Sequence, residues 1–316
     1  MAKIVVTFAP TDAQRSIMER VLGKVDLLGE DRSMLSSAEV LFCWNPVKEL
    51  RREELSTLGN VKFIQTLSAG VDHLPFDEIP DCIIVASNVG GYAEPMAEHT
   101  IAMFLALAKR LYPNHRLMKE AFNQQSFTLT MKDAVCGILG FGENGKAVAR
   151  LAKALGARIY AINSTGKTEE DVDFIGTLKD LDFFLRSVDF LAITISLNNE
   201  TRGLIGEREL DLMKKNAIIV NTARGEIIDE KALYERLKNN PEFMAGIDAW
   251  WIEPFRHGRF EIHYPFLDMP NVIGSPHNSA MVEGVIEHAT ELACENIRAF
   301  LKGEKVRGIV RREDYR

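Results

Sequence analysis

The chain carries no apolar run long enough to span a bilayer. Its longest strongly apolar stretch, Ile101 to Ala108, falls far short of the roughly 20 residues a helical crossing needs. It has no surplus of basic residues: 38 Lys and Arg stand against 45 Asp and Glu, a net charge of -7. That balance, with no basic arm, argues against nucleic acid and anionic membranes as partners. Cysteine is scarce. Cys43, Cys82, Cys136 and Cys294 are widely separated, with no C-x-x-C and no Cys/His cluster. A disulfide framework and a metal site are therefore not expected, and a reducing, cytoplasmic setting fits best. Internal repeats and low-complexity segments are also missing. Met1-Ala2-Lys3-Ile4-Val5-Val6 reads as the approach to a first strand and not as a signal peptide.

What remains is an ordinary globular composition, 46% hydrophobic and 26% charged over 316 residues, enough for two domains. Short apolar runs alternate with amphipathic helical stretches, the pattern of a parallel α/β sheet. In the first part the predicted strands are Ile4–Phe8, Val40–Cys43, Phe63–Leu67 and Ile83–Ala86, with a helix over Asp12–Leu22. A long helical stretch runs from Met96 to about Lys119, and Pro113 inside it should kink or break it. Further strands are predicted before Gly140 and at Arg158–Ile162, Phe190–Ile195, Ala217–Asn221, Ala245–Asp248 and Val272–Gly274. A last helix is expected over about Met281 to Leu301.

The strand Val135–Leu139 runs into Gly140-Phe141-Gly142-Glu143-Asn144-Gly145, a G-x-G-x-x-G followed by a helical segment. In that context each glycine has a task. Gly140 permits a tight turn, Gly142 admits a pyrophosphate close to the backbone, and Gly145 with Ala149 lets the helix approach the sheet. The helix N-terminus offers N–H groups to phosphate. With this fingerprint in the middle of the chain, the outer segments are expected to fold together. Residues 1–93 and 281–316 would form a discontinuous first domain and residues 94–280 the dinucleotide-binding domain. Ligands of such sheets bind at the C-terminal ends of strands, so the reaction is expected in a cleft between the domains.

Four more motifs stand beside strand ends: Gln65-Thr66-Leu67-Ser68-Ala69-Gly70-Val71-Asp72, Asn221-Thr222-Ala223-Arg224-Gly225, Asp248 through Glu253-Pro254, and Ser275-Pro276-His277-Asn278-Ser279-Ala280. With Met96-Ala97-Glu98-His99 and Glu200-Thr201-Arg202-Gly203-Leu204-Ile205, they follow one order over nearly the whole chain. In that order and spacing the chain resembles the D-isomer-specific 2-hydroxyacid dehydrogenases. The resemblance implies two doubly wound parallel-sheet α/β domains, a Rossmann cofactor domain inserted in a discontinuous flavodoxin-like substrate domain, usually as a homodimer. It implies hydride transfer between NADP or NAD and C2 of a small 2-keto or D-2-hydroxy acid, such as glyoxylate or hydroxypyruvate.

The resemblance also distributes roles. Arg224 matches the substrate arginine, whose guanidinium fork suits a carboxylate and a keto oxygen. His277 matches the proton-transfer histidine. Glu253 matches the carboxylate that fixes the histidine tautomer and favours imidazolium. Ala69 and Gly70 match the loop whose backbone N–H groups hold the substrate carboxylate. Asn88 and Tyr92 are candidates for the same pocket or for turn and packing roles. Cofactor positions are Gly140, Gly142, Glu143, Asn144, Gly145, Ser196, Thr222, Ala223, Asp248, His277 and Ala280, with Ser196 where the family commonly has proline. His99 is read as packing or interdomain bonding, and Trp250 and Trp251 as shaping a pocket entrance, a contact surface or the core.

One departure bears on the cofactor. The second Rossmann strand usually ends in an acidic residue that binds the ribose hydroxyls, and here the position is Asn163, followed by Ser164, Thr165, Gly166 and Lys167. Without the carboxylate a 2′-phosphate is not repelled, which favours NADP over NAD. Two alternatives stand beside the reductase. A formate dehydrogenase-like enzyme is disfavoured by Glu253 and Tyr92, where that branch has glutamine and asparagine. A nucleotide-sensing corepressor-like regulator shares the fold and can retain the triad.

Overall fold

The computed structural model describes residues 3–118 and 127–316. The expected end of the long helix near Lys119, and Met1 and Ala2 before the first strand, lie outside the described residues.

In chain order the first elements are β1 (Ile4–Val6), α1 (Asp12–Leu22), β2 (Asp26–Leu27), β3 (Val40–Cys43), α2 (Pro46–Glu49), α3 (Arg52–Ser56), β4 (Phe63–Thr66) and β5 (Ile84–Ala86). Then come α4 (Ala93–Ala108), α5 (Leu111–Leu117), β6 (Val135–Leu139), α6 (Glu143–Ala154), β7 (Arg158–Ile162), β8 (Phe174–Gly176), α7 (Leu181–Ser187) and β9 (Phe190–Ile193). The remainder is α8 (Glu207–Leu212), β10 (Ile218–Asn221), α9 (Glu230–Asn239), β11 (Met244–Ile247), α10 (Pro254–His257), β12 (Val272–Gly274) and α11 (Val285–Lys302). The chain divides into two compact units, one of Met1–Tyr92 with Val282–Arg316 and one of Ala93–Met281.

The first unit holds a sheet ordered β2-β1-β3-β4-β5, with every pairing parallel. This is the flavodoxin-like doubly wound order. Alternate side chains enter opposite layers, as a strand's period of two requires. Val5, Leu41, Cys43, Ile64 and Val85 pack in one core. Ile4, Val6, Val40, Phe42 and Phe63 pack in the other, with Met18 of α1 and Ala289, Ala293 and Ile297 of α11. The C-terminal helix thus completes a layer begun by the first strands. Gln14 Nε2 of α1 donates to Thr290 Oγ1 of α11 at 3.0 Å.

The second unit holds a parallel sheet ordered β12-β11-β10-β9-β6-β7-β8. Read from β8, this is the Rossmann order with an added strand, and its winding reverses between β6 and β9. Its strands also serve two layers. Leu139, Leu191, Ile193 and Ile219 face one core, with Phe184, Leu210 and Leu233 from α7, α8 and α9. Ile138, Phe190, Ala192, Ile218 and Val220 face the other, with Ile101, Phe104 and Val148 from α4 and α6. A parallel sheet covered on both faces reads as continuous apolar runs, and these are such runs.

Two edge strands, β2 and β8, were not expected. Both are short, two residues in β2 and three in β8, and mostly half-buried, so neither stands out as a buried apolar run. The helix break also differs from the expectation at Pro113. It falls at Arg110, which takes a left-handed conformation at φ 51° between α4 and α5. Pro113 lies in the first turn of α5, where its missing N–H would have had no helical partner.

Gly137, in the middle of β6, leaves no room for a side chain. A Cβ there would stand 2.3 Å from Val188 Cγ1 and 2.9 Å from Phe184 Cζ. Gly137→Ala should therefore lower stability by about 1–3 kcal/mol, the usual cost of overpacking. Urea unfolding measures it, and an unchanged midpoint would show that the β6–α7 packing yields freely.

Candidate active site

The three expected catalytic side chains all belong to the second unit. They sit on the loops that leave β10, β11 and β12 at their C-terminal ends. Parallel neighbours bring these loops together, since β10 pairs with β11 and β11 with β12.

Arg224 follows β10 in a turn that Asn221 builds. Asn221 Oδ1 accepts from Ala223 N at 3.0 Å, and its Nδ2 donates to Arg224 O at 2.8 Å. Arg224 is half-buried, and its Nη1 donates to Ala223 O at 2.7 Å. Gly225 lies hard against the backbone after β11: a Cβ on it would stand 2.4 Å from Trp250 C. The absence of a side chain lets the Arg224 turn seat against the Trp250–Trp251 peptide.

Glu253 is 3% exposed. Its Oε1 accepts from Trp250 N at 2.5 Å, and its Oε2 lies 2.7 Å from His277 Nδ1. An ionised carboxylate can only accept, so Nδ1 carries the proton in this contact and Nε2 is left for other chemistry. The His277 side chain is 30% exposed. The residue itself adopts φ 51°, a left-handed conformation rare outside glycine. Something must hold it there, and Asp248 is placed to do so.

Asp248 is fully buried at the end of β11. Its Oδ1 accepts from Ser275 Oγ at 2.5 Å and from Asn278 N at 3.1 Å, and its Oδ2 accepts from Ser279 N at 3.2 Å. The carboxylate thus fastens the residues on both sides of His277. His99 Nε2 of α4 meets Ser275 Oγ at 3.0 Å and lies 3.7 Å from Asp248 Oδ1. Of the two readings of His99, packing and interdomain bonding, these contacts favour the first, because Ser275 and Asp248 belong to the same unit as His99. Trp250 is 4% exposed and donates its indole N–H to Ser275 O at 2.8 Å, while Trp251 donates to Ile228 O at 2.7 Å. Both indoles bind the loops internally.

The family match follows this geometry. The family described as D-isomer specific 2-hydroxyacid dehydrogenase, NAD binding domain, matches residues 101–279. The chain belongs to this family. It is 38% identical over 303 residues to the glyoxylate reductase of Thermococcus gammatolerans, covering 85% of this chain and 89% of the relative. It is 30% identical over 319 residues to the D-3-phosphoglycerate dehydrogenase of Methanocaldococcus jannaschii, covering 98% of this chain and 59% of that one. A solved Pyrobaculum aerophilum protein, provisionally named a formate dehydrogenase, superposes with TM-score 0.83 at 28% identity, covering 99% and 100% of the two chains. The chain is therefore an oxidoreductase of the D-2-hydroxyacid dehydrogenases, with two parallel-sheet α/β units and an NAD-binding domain.

The glycine loop of this dehydrogenase fits a dinucleotide. Gly140 has φ 104°, and a Cβ on it would stand 2.3 Å from Ile195 N. A Cβ on Gly145 would stand 2.4 Å from Gly140 O, so α6 presses against the turn. Gly142, which caps α6, has nothing within 4 Å of its Cβ position. Two glycines are thus demanded by packing and the third leaves open space at a helix N-terminus, where a phosphate is stabilised. Glu143 pairs with Lys146 at 3.2 Å, and Asn144 Nδ2 points to Met96 Sδ at 3.4 Å.

Asn163 proves to be a loop organiser. Its Oδ1 accepts from Thr165 N at 3.0 Å and Gly166 N at 2.7 Å, and its Nδ2 donates to Lys167 O at 2.9 Å. Ser164, Thr165 and Lys167 are exposed around it. Ser196 is exposed, and its carbonyl accepts from Thr201 Oγ1 at 2.7 Å. Thr222 is buried against Thr100, with the hydroxyls 3.3 Å apart, and Ala223 and Ala280 are half-buried.

Ala69 and Gly70 belong to the other unit. They are half-buried just after β4, where Ser68 Oγ donates to Gly70 O at 3.1 Å. Asn88 Nδ2 donates to Leu67 O and Ala289 O, and Tyr92 OH donates to Leu67 O. These two side chains hold that loop from behind, and burial pushes the Tyr92 phenol up to about 12. The residues missed in the sequence are Ser275 and His99 as partners of Asp248, together with the Glu226–Arg256 pair. Only the hydroxyl beside Pro276 hinted at the first.

Asp248→Ala would leave the Asn278 and Ser279 amides and the Ser275 hydroxyl without their acceptor. The expected loss of stability is at least about 1–3 kcal/mol, the cost of one orphaned buried donor. Denaturant unfolding measures it, and an unaltered midpoint would mean that the His277 turn holds itself.

Proposed function

We propose that the protein reduces a small 2-keto acid to the D-2-hydroxy acid, with NADPH as the preferred cofactor and NADH as the alternative. The observation that carries this reading is the His277 Nδ1 to Glu253 Oε2 contact at 2.7 Å, one loop away from Arg224. Glyoxylate is the substrate to test first, supported by the Thermococcus relative, and hydroxypyruvate is next.

A nicotinamide cofactor, when bound, would supply a hydride for C2 of the keto acid. Arg224 pairs its guanidinium with the substrate carboxylate and polarises the keto oxygen. His277 delivers the Nε2 proton to that oxygen as the hydride adds, and Glu253 balances the charge on the ring. The residues assigned to the cofactor are Gly140, Gly142 and Gly145 with Glu143 and Asn144 at the pyrophosphate, and Asn163, Ser164, Thr165 and Lys167 at the adenosine ribose. Ser196, Thr222, Ala223, Asp248 and Ala280 complete the nicotinamide end, and the Ala69–Gly70 amides bind the carboxylate. The working unit is read as a homodimer in the cytoplasm. Exposed apolar side chains on and beside α5, Leu111 at 58%, Tyr112 at 53% and Met118 at 66%, support the pairing of two copies. No helix among the described residues is long and apolar enough to cross a membrane.

His277→Ala should lower turnover roughly a hundredfold to ten-thousandfold, the range for a lost general acid. Arg224→Ala should nearly abolish reduction while cofactor affinity stays within a few fold. Reduction needs protonated His277, so it should favour lower pH than oxidation of the hydroxy acid. Glu253→Gln should move the reduction profile to lower pH, because the imidazolium loses its anionic neighbour. Steady-state rates with glyoxylate and both cofactors across pH read all of these. An unchanged profile in Glu253→Gln would remove Glu253 from the catalytic set.

The cofactor preference has its own test. Wild type should favour NADPH over NADH in kcat/KM by about tenfold to a hundredfold, or about 1.4–2.8 kcal/mol. Asn163→Asp should reduce or reverse that ratio. The carboxylate can still accept from the Thr165 and Gly166 amides, but it repels a 2′-phosphate and loses the donor to Lys167 O. A wild-type preference for NADH would overturn this reading of the loop.

A further inference from the structure

We infer that Glu226 and Arg256 are positioning residues, forming a clamp that sets the Arg224 turn against the helix carrying Glu253. The inference rests on the functional reading above and adds to it two residues outside the expected catalytic set.

The geometry is short and direct. Arg256 Nη1 donates to Glu226 Oε1 at 2.6 Å, and the two side chains are only 16% and 17% exposed. Arg202 Nη1 lies farther away, 3.8 Å from the same oxygen. The other carboxylate oxygen, Oε2, is buried with no hydrogen-bond partner among the described residues. A half-buried carboxylate whose inner oxygen has no donor depends on the one strong bond that its other oxygen makes. Glu226 stands two residues after Arg224, separated from it only by Gly225, and its carbonyl accepts from Gly203 N at 2.8 Å. Its backbone is therefore held while its side chain reaches across.

Arg256 stands three residues after Glu253 on α10. Glu253 caps that helix, with His257 N donating to Glu253 O at 2.8 Å and Glu253 N donating to His257 Nδ1 at 3.1 Å. A one-turn helix capped this way moves as a piece, so a force on Arg256 is felt at Glu253. The chain of contacts runs from Arg224 through Glu226 and Arg256 to Glu253, and from there to His277. It ties the cation for the substrate carboxylate to the partner of the proton donor, across loops from two different strands. Released, α10 would let Glu253 turn away from His277 Nδ1, and Arg224 would lose its fixed distance from the ring.

The test compares wild type with Glu226→Gln, Arg256→Gln, the double variant and Arg256→Lys. Glyoxylate reduction, NADPH binding by fluorescence, thermal unfolding and the ring 15N shifts of His277 at fixed pH are the readouts. The clamp predicts a tenfold or greater fall in kcat for each Gln variant, with NADPH affinity within threefold. The double variant should be no worse than the worse single, because each single already removes the Glu226–Arg256 bond that the two share. Arg256→Lys, which keeps a cation in reach of Glu226, should stay within threefold of wild type, and it remains informative if a Gln variant fails to fold. The His277 ring shifts should change in the Gln variants and return in Arg256→Lys. Lowered thermal stability with unchanged kcat and unchanged ring shifts would overturn the clamp, as would additive losses in the double variant. If wild type reduces no 2-keto acid, the functional reading falls, and the His277 shifts alone then decide the clamp.

Discussion

Every strand pairing in the cofactor sheet is parallel, and that constraint governs the rest of the unit. A parallel neighbour can be reached only by a crossover, so each strand hands its chain to a loop at the same edge of the sheet. Chemistry collects at that edge because the connections leave it no other place. Arg224, Glu253 and His277 are far apart in sequence, yet they follow β10, β11 and β12, which are adjacent and in register. The same rule puts the glycine turn after β6, beside the point where the winding reverses toward β9.

Buried carboxylates then convert loop proximity into fixed geometry. Asp248 and Glu253 are 0% and 3% exposed, and each reaches the loop after β12, while Glu253 also accepts from Trp250 N of its own loop. A carboxylate accepts several hydrogen bonds at once, so one side chain can fasten several peptide groups. The cost of burying its charge is offset only when those donors are all in place. The His277 turn, with a left-handed backbone on a non-glycine residue, is tolerated because Asp248 holds both flanks. Strain at His277 and an over-determined surrounding go together here, since a strained backbone persists only where its neighbours hold it.

Some of this was legible in residue order. The strand β3 is a continuous buried apolar run, so it could be bounded in the sequence as it stands in the fold. The half-buried edge strands β2 and β8 could not, because two or three residues are too few to show a strand's period. Pro113 drew attention to a helix break, but the chain bends at Arg110, where nothing in the residue type demands a left-handed turn. The roles of Asn163 and His99 were also hidden. An asparagine after a strand reads as an open polar group until its amide is seen closing a loop with Thr165, Gly166 and Lys167.

Motif order by itself determined the family, the parallel α/β class and the residues that carry the candidate chemistry. These are matters of local composition and spacing, which a linear string records. Only the tertiary structure decided which nitrogen of His277 faces Glu253, which carboxylate holds the His277 turn, and that Glu226 reaches Arg256 across two loops. Each of these is a contact between residues brought close by sheet register and crossover handedness. Side-chain direction across such a gap depends on the packing of both loops, and no single stretch of sequence contains both.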